Sequence, residues 1–321
     1  MISINMLNPI NKEEEKKKFF FDIQYNPQFH YAHKFEREEL DAKYGMVSNE
    51  FLVESERILS TVIKKWKTET AFLADAEGSL MTKDQVTKQA LEYFQKNGIE
   101  SKVKIKFVSG QVSPGSMTGD TLNIRLPVAA RSLRFEGTLN HEVGTHYFRR
   151  INEEQQPWYE KREAFDLSFP LETEEGLAVL HSHLHLEHKN MWFAALYYVA
   201  LYYANQMTFS ALYEHLKQYI DDRDRRWNIT LRAKRGMTDT SLPGAIGKDQ
   251  IYIRGVMKVI AWLEENEYDP TVLYFGKVAL EDVERVKAIS PNFVPVLPAF
   301  LKEGKDQYKK SIQAIKKQNE L

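Results

Sequence analysis

The sequence of 321 residues contains no cysteine. This absence excludes disulfides, thiol nucleophiles and cysteine-bound zinc, so histidines and carboxylates must supply the ligands of any metal. An excess of charge is also missing, because 44 Lys and Arg residues stand against 45 Asp and Glu residues. The formal net charge of -1 gives no electrostatic reason to expect a nucleic acid as partner.

A long hydrophobic run is absent as well. The longest apolar stretch, residues 191–204, is shorter than the roughly 20 residues that a membrane helix needs, and it predicts a buried helix and no membrane partner. Residues 12–18 are charged where a signal peptide has its apolar core, so we expect a cytoplasmic protein. With 43% hydrophobic residues, the chain has the composition of a folded globular protein.

The apolar pattern predicts an α+β fold that is predominantly helical. Alternation at 103–107 and 122–126 indicates two strands, and the Gly-, Ser- and Pro-rich residues 111–120 between them indicate a turn. Residues 82–96 carry the signals of a complete helix, with a capping box at Thr82 and Gln85 and a stop at Gly98. Further helices are predicted at 35–66, 127–151, 172–188, 191–204, 208–221, 224–235, 249–265 and 279–288. We expect residues 1–100 to form an N-terminal helical lobe packed on a catalytic part at 101–321, with the two forming one compact unit.

Residues 141–146, with the sequence HEVGTH, carry the strongest chemical signal. Histidine is the commonest metal ligand, and a Glu beside it can act as general base on a water molecule at the metal. In an ideal α-helix, His141 and His146 would lie roughly 140° apart, which is too far for one ion. The spacing therefore predicts a bulge or break in the helix, and Gly144 lowers the cost of such a distortion. The alternative is two unrelated histidines on a helix.

A third ligand is expected on a second helix, where Glu174 and Glu175 begin the segment EEGLA. Carboxylates at this position also suit a helix N-terminus for electrostatic reasons alone. The residues by themselves do not decide between the two glutamates.

These motifs together resemble the microtubule-associated tyrosine carboxypeptidases and their bacterial QEGLA-motif relatives. The matching segments are HEVGTHYFRR at 141–150, QPW at 156–158, EEGLAVLHS at 174–182, KDQIYIRG at 248–255 and NPQFHY at 26–31. The resemblance implies a zincin-like metallopeptidase of the HExxxH type, with a small sheet beside the metal-binding helix. It implies Zn²⁺ as cofactor, His141, His146 and Glu175 as ligands, and Glu142 as catalytic base.

The resemblance further implies a carboxypeptidase that acts on a protein or peptide C-terminus, with removal of a C-terminal tyrosine from a protein such as tubulin as one candidate reaction. A terminal carboxylate needs a fixed cation, for which Arg254 is the first candidate, and Lys248 and Tyr252 are the next substrate-binding candidates. Arg149 and Arg150 are further candidates. The strand at 121–126 is expected to align the substrate by main-chain pairing.

Other interpretations stay open at this point. The same site suits a zinc endopeptidase or an aminopeptidase, and a non-catalytic metal-binding regulatory protein is the alternative outside the enzymes. A dense group of histidines, His181, His183, His185 and His188, suggests either a second metal site or an ordinary polar helix face. On a helix, this face points away from Glu175.

Overall fold

The computed structural model describes residues 4–111 and 113–321. The α-helices are α1 (Lys12–Phe21), α2 (Arg37–Tyr44), α3 (Leu52–Trp66), α4 (Glu69–Ala76), α5 (Lys83–Asn97), α6 (Phe135–Leu139), α7 (Phe148–Glu153), α8 (Leu171–His181), α9 (Trp192–Ala204), α10 (Phe209–His215), α11 (Arg223–Lys234), α12 (Ile251–Glu265), α13 (Val283–Ile289), α14 (Ala299–Lys302) and α15 (Lys305–Gln318). Between α6 and α7 lies a π-helical segment, Asn140–Tyr147, which we call the π segment. The strands are β1 (Lys104–Ser109), β2 (Gly115–Thr118) and β3 (Thr121–Leu126). Short 3₁₀ turns occur at Ile4–Leu7, Arg162–Phe165, Leu216–Gln218, Gly247–Gln250, Thr271–Tyr274 and Leu280–Asp282.

The predicted α+β class is confirmed, because helices dominate and the strands form one small sheet in the order β1-β3-β2. β1 and β3 are the two predicted strands, and they pair in parallel. β2 lies within the predicted turn at 111–120 and pairs antiparallel with β3. A Gly- and Ser-rich segment has little strand propensity of its own, so its pairing here is set by the neighbouring strand.

Spatial grouping divides the described residues into two units that are each built from separate parts of the chain. Unit 1 comprises residues 4–72 and Met191–Ile253, and unit 2 comprises the described residues of Leu73–Asn190 and Arg254–Leu321. This grouping does not test which part of the chain carries catalysis. The division at residue 100 therefore stays a prediction.

Unit 1 has an aromatic core at the meeting point of α1, α10 and α11. Phe19 packs edge-on against Tyr213, with ring centroids 4.8 Å apart, and Trp227, Phe209 and Phe29 complete the cluster. The apolar helix α9 is largely buried, as predicted for 191–204. Among the described residues, no helix is both long and apolar enough to cross a membrane.

Unit 2 contains the sheet and the helix that carries the HEVGTH sequence. The signals at the ends of α5 are confirmed: Thr82 and Gln85 form the capping box, and Gly98 adopts the left-handed conformation at φ 66°. α6, the π segment and α7 follow one another without a break. α8 crosses the part of α12 after Arg254 so closely that a Cβ on Gly176 would overlap the backbone of Gly255.

The predicted helix at 172–188 is wrong in its length, because α8 ends at His181. Arg134, which directly precedes α6, donates to the carbonyl of Ser182 at 3.0 Å. The Ser182 hydroxyl donates to the carbonyl of Val179 at 2.7 Å. These bonds satisfy carbonyls at the helix end. The predicted helix at 35–66 is also interrupted, between α2 and α3, after Gly45 at φ 78°.

The glycine contact between α8 and α12 gives a first testable prediction. Gly255→Ala should lower the free energy of unfolding by about 1–3 kcal/mol, because the new Cβ would meet the carbonyl of Glu172 and the Cα of Gly176. Urea unfolding measures the loss. Ala261→Leu, at an exposed position of the same helix, should change stability by no more than about 0.5 kcal/mol. Equal stability of Gly255→Ala and the parent protein would refute the tight crossing.

Candidate metal centre and active site

The π segment brings the two histidines of the HEVGTH sequence onto one side of the helix. Its hydrogen bonds follow the i→i+5 pattern, in which residues five apart lie nearly above one another. The ring centroids of His141 and His146 are 4.8 Å apart. The predicted distortion of the helix between these histidines is thus confirmed, and its form is a π-helix.

Gly144 has a different role in this segment from the one expected. Its φ is not in the left-handed region, so backbone freedom is not what the position requires. Instead, an added Cβ would lie 2.5 Å from a ring carbon of Phe300 and 2.7 Å from the hydroxyl of Tyr93. Glycine is needed here because these two aromatic side chains press against the segment.

Glu175 completes a cluster that can hold a metal ion. One ligand atom each of His141, His146 and Glu175 lies within 4.8 Å of the others. His141 Nε2 is 3.8 Å from Glu175 Oε2. Gly176, the next residue of α8, makes the contact with Gly255. The close helix crossing therefore fixes the position of Glu175 along the axis of α8. The glycines of the EEGLA and YIRG sequences therefore have a shared packing role.

Each histidine ring has a further hydrogen-bond partner outside the cluster. His146 Nδ1 hydrogen-bonds Glu174 Oε1 at 2.7 Å, and the His141 ring hydrogen-bonds the backbone of Ala178. Such contacts fix the tautomer and the orientation of a metal-binding imidazole. Glu174 also pairs with Lys277 at 2.9 Å. Sequence analysis missed the contact of Glu174 with His146, as well as Lys277, and no motif marks the lysine.

Glu142 lies beside the cluster, and one of its carboxylate oxygens accepts a backbone hydrogen bond. The backbone N–H of Met117 on β2 donates to Glu142 Oε2 at 3.0 Å. The sheet therefore does stand beside the helix that carries the HEVGTH sequence, as predicted. The strand next to Glu142 is β2, however, and not the predicted residues 121–126: β3 is paired on both sides, so its main chain cannot accept a substrate strand.

Burial and charge shift the pKa values of Glu142, His141, His146 and Glu174. Burial raises the pKa of the Glu142 carboxyl to about 7 and holds the pKa of His141 well below its ordinary value. Burial also opposes charge on His146, but the hydrogen bond and charge of Glu174 outweigh it and raise the pKa of His146 to about 9. Against its own burial, the bond to His146 lowers the pKa of Glu174. Carboxylates and imidazoles thus stand side by side in this centre, and His141, His146 and Glu175 could hold a cation there.

The residues predicted to bind a terminal carboxylate lie in different units. Arg254 belongs to unit 2, where its Nε donates to Glu172 Oε1 at 2.8 Å, and Lys258 pairs with the other oxygen of Glu172. Lys248 and Tyr252 belong to unit 1. Lys248 lies 3.9 Å from Asp249. The ring of Tyr252 lies 6.2 Å from that of Tyr197.

The other two arginines have structural partners in unit 2. Arg149 is fully buried and donates to the carbonyls of Leu273, Gly276 and Val278. Arg150 pairs with Asp120 and Glu154. Neither arginine is placed as a carboxylate receptor by these contacts.

The histidines at 181–188 do not form a second cluster. Among the described residues, the only group of three or more ligand side chains close enough for a metal is His141, His146 and Glu175. His181 and His183 are buried and hydrogen-bonded, His185 contacts the carbonyl of Leu133, and His188 lies 3.6 Å from Asp75. Because α8 ends at His181, the predicted common helix face does not exist.

Comparison with known proteins agrees with the resemblance carried by the motifs. The family described as microtubule-associated tyrosine carboxypeptidase matches residues 24–320. Rat microtubule-associated tyrosine carboxypeptidase 1 is 36% identical over 322 residues, which are 98% of this chain and 68% of the rat protein. The human protein of the same name is 35% identical over the same shares of both chains. Another relative, from mouse, is 36% identical over 99% of this chain, which spans 62% of that protein.

The family match covers nearly the whole chain, and the relatives exceed 30% identity over almost its full length. The resemblance inferred from the motifs is therefore confirmed, and the predicted class of enzyme, a carboxypeptidase, is the class that the family name states. The chain belongs to the microtubule-associated tyrosine carboxypeptidase family.

Proposed function

We propose that this protein is a zinc-dependent carboxypeptidase that removes a C-terminal tyrosine from a protein substrate. One observation carries the proposal: His141, His146 and Glu175 converge within 4.8 Å, and Glu142 lies beside them. A purely structural metal site has no use for such an additional, half-buried carboxylate. This feature favours an enzyme over a non-catalytic metal-binding protein.

The donor set fits zinc. Two imidazole nitrogens and one carboxylate oxygen are the protein ligands of many catalytic zinc sites, which keep a further position open. The hydrogen bond from His146 Nδ1 to Glu174 and the contact of His141 with Ala178 leave one nitrogen of each ring for the metal. A zinc ion bound there would supply a Lewis acid that polarises the scissile carbonyl and makes water more acidic.

Glu142 has the position and the chemistry of the proton carrier. Its Oε2 is held by the N–H of Met117, which directs the carboxylate toward the cluster and limits its rotation. In the metal-free centre, burial raises the pKa of this carboxyl, and a carboxylate with a raised pKa accepts and returns a proton more readily than an ordinary one. We assign to Glu142 the removal of a proton from the attacking water and its transfer to the leaving amine.

A carboxypeptidase must also recognise the free carboxylate of its substrate. Arg254 stays our first candidate, because its pairing with Glu172 lies one helical turn before Glu175 on α8. Lys277 is a second candidate that the structure adds, since it pairs with Glu174 directly behind His146 and is partly exposed. An Arg–carboxylate pair is bidentate and directional, which suits the selection of a chain end.

The nature of the substrate rests on the names of the relatives. Two of them are named microtubule-associated tyrosine carboxypeptidase 1. By extension, we propose tyrosine as the released residue, tubulin as the candidate substrate and the cytoplasm as the compartment. An endopeptidase or aminopeptidase with the same centre is the alternative, and a free carboxylate requirement separates the two possibilities.

The first prediction for this site concerns metal binding. The purified protein should hold about one zinc ion per chain. Each of the substitutions His141→Ala, His146→Ala and Glu175→Ala should abolish zinc binding. Glu174→Gln is the matched control, because the amide oxygen of Gln can still accept the hydrogen bond of His146. Elemental analysis after dialysis measures the ratio. Loss of zinc in Glu174→Gln but not in Glu175→Gln would reverse the ligand assignment.

The second prediction separates catalysis from metal binding. Glu142→Gln should fold and bind zinc like the parent protein, but its turnover should fall by about 10²–10⁴-fold, the usual contribution of a general base. Release of tyrosine from a C-terminal peptide, followed by mass spectrometry, measures the rate. An unchanged rate would remove Glu142 from the mechanism.

The third prediction tests recognition of the chain end. Amidation of the substrate's C-terminus should slow cleavage strongly, and Arg254→Ala should erase this preference by lowering kcat/KM for the free acid about 10–150-fold, in line with a charge-assisted pair worth about 1.5–3 kcal/mol. Lys258→Ala is the control, because Lys258 shares Glu172 but is more exposed. Equal cleavage of amidated and free peptides by the parent protein would overturn the carboxypeptidase proposal. A preference that survives Arg254→Ala would transfer the role to another cation, with Lys277 tested next.

A further inference from the structure

Within unit 2, a chain of buried hydrogen bonds runs from the π segment through the end of α8 to α15. The hydroxyl of Thr145 donates to the carbonyl of Asn140 at 2.8 Å and lies 2.8 Å from His181 Nδ1. On the other side of the ring, His181 Nε2 lies 3.0 Å from the hydroxyl of Tyr308. Thr145 and His181 are completely buried, and Tyr308 is nearly so. None of these three residues belongs to the metal cluster, and His181 comes from the histidine group whose role the sequence left open.

The direction of each bond in this chain follows from the chemistry of its groups. A carbonyl only accepts, so the hydroxyl proton of Thr145 is directed to Asn140, and Thr145 Oγ1 must accept from His181 Nδ1–H. Burial lowers the pKa of His181 to about 3, so the ring is neutral and its Nε2 accepts from the hydroxyl of Tyr308. Every member of the chain is therefore satisfied in one arrangement only.

The hydroxyl of Thr145 bonds a carbonyl further back along the chain than a Thr hydroxyl does in a regular α-helix. In a regular α-helix, a Thr hydroxyl bonds the carbonyl three or four residues earlier. Thr230 in α11 does so, donating to Arg226 at 2.8 Å. Thr145 instead bonds the carbonyl five residues earlier, a partner that suits the π register.

A second side chain acts on the same segment from outside. The hydroxyl of Tyr274 donates to the carbonyl of Gly144 at 2.8 Å and lies 3.3 Å from His181 Nδ1. Two carbonyls of the π segment, those of Asn140 and Gly144, therefore bind hydroxyls that lie against His181. Buried polar groups that are fully paired favour one arrangement of the chain over others.

We propose that His181, Thr145 and Tyr308 act together as positioning residues that hold the π segment in its five-residue register, so that His141 and His146 face one ion. The proposal rests on the proposed metal function of these histidines. His181 orients Thr145, Tyr308 orients His181, and Thr145 fixes the carbonyl of Asn140. Without this chain, the segment relaxes toward the α register, in which the two metal-binding histidines diverge.

Thr145→Val tests the proposal, since it removes the hydroxyl and keeps the shape of the side chain. We expect zinc affinity to fall about 10–100-fold, as is typical for contacts that support metal ligands, and the visible spectrum of the Co²⁺-substituted protein to change. Competition with a chromophoric chelator measures the affinity. Thr145→Ser, which keeps the hydroxyl, should have the zinc affinity and the Co²⁺ spectrum of the parent protein. Thr230→Val is the matched control, because it removes a buried Thr hydroxyl from a regular helix, and it should leave zinc affinity unchanged.

Hydrogen exchange in the metal-free protein tests the register without any zinc. In Thr145→Val, the amides of residues 141–147 should exchange faster relative to those of α5, and in Thr230→Val they should not. This measurement still decides the proposal if the parent protein binds no zinc, an outcome that would refute the proposed function instead. If Thr145→Val does not fold, Tyr308→Phe provides the same comparison with a single hydroxyl removed.

Three results would overturn the proposal. The first is parent-like zinc affinity together with unchanged exchange of residues 141–147 in Thr145→Val. The second is an equal loss of affinity in Thr145→Ser, which would assign the effect to packing of the methyl group. The third is an equal loss in Thr230→Val, which would assign it to general destabilisation.

Discussion

The five-residue spacing of His141 and His146 is the constraint on which the site depends. An α-helix turns 100° per residue, so it would direct these two rings to different sides, whereas a π-helix directs them to one side. The extra residue per turn requires room and partners for its carbonyls. Gly144 leaves the room that Phe300 and Tyr93 occupy, and the hydroxyls around His181 supply partners. The packing of unit 2 and the geometry of the metal cluster are thus parts of the same solution.

Close backbone contact between α8 and α12 determines the position of Glu175, the third residue of the cluster. Gly176 follows Glu175 directly, and neither it nor Gly255 leaves space for a side chain where α8 and α12 cross. This contact locates α8 along its axis, and so it determines how far Glu175 reaches toward His141. Arg254 precedes Gly255 and pairs with Glu172, so the same crossing holds a cation near the first turn of α8. Two short sequence motifs that lie about 80 residues apart are explained by this one contact.

The sequence predicted those features whose signals are local. Thr82, Gln85 and Gly98 define both ends of α5, because capping bonds involve residues a few positions apart. The distortion at 141–146 was predictable from helix geometry alone. By contrast, β2 depends on its pairing with β3, and α8 stops early because Arg134 binds the carbonyl of Ser182. The pairing of Lys277 with Glu174 joins residues about 100 positions apart, and no local pattern reports it.

The pair Glu174 and Glu175 illustrates why residue types alone leave a site undecided. Consecutive residues of a helix point about 100° apart, so the two carboxylates face different neighbours. Glu175 faces Nε2 of His141, whereas Glu174 hydrogen-bonds Nδ1 of the other histidine, His146. Glu174 also forms an ion pair with Lys277, which lies outside the cluster and stabilises the negative charge of Glu174. Identical side chains at adjacent positions thus have different roles: Glu175 faces the candidate metal position, and Glu174 orients the ring of His146. The rotation of α8 about its axis decides which is which, and that rotation is set by tertiary packing at Gly176.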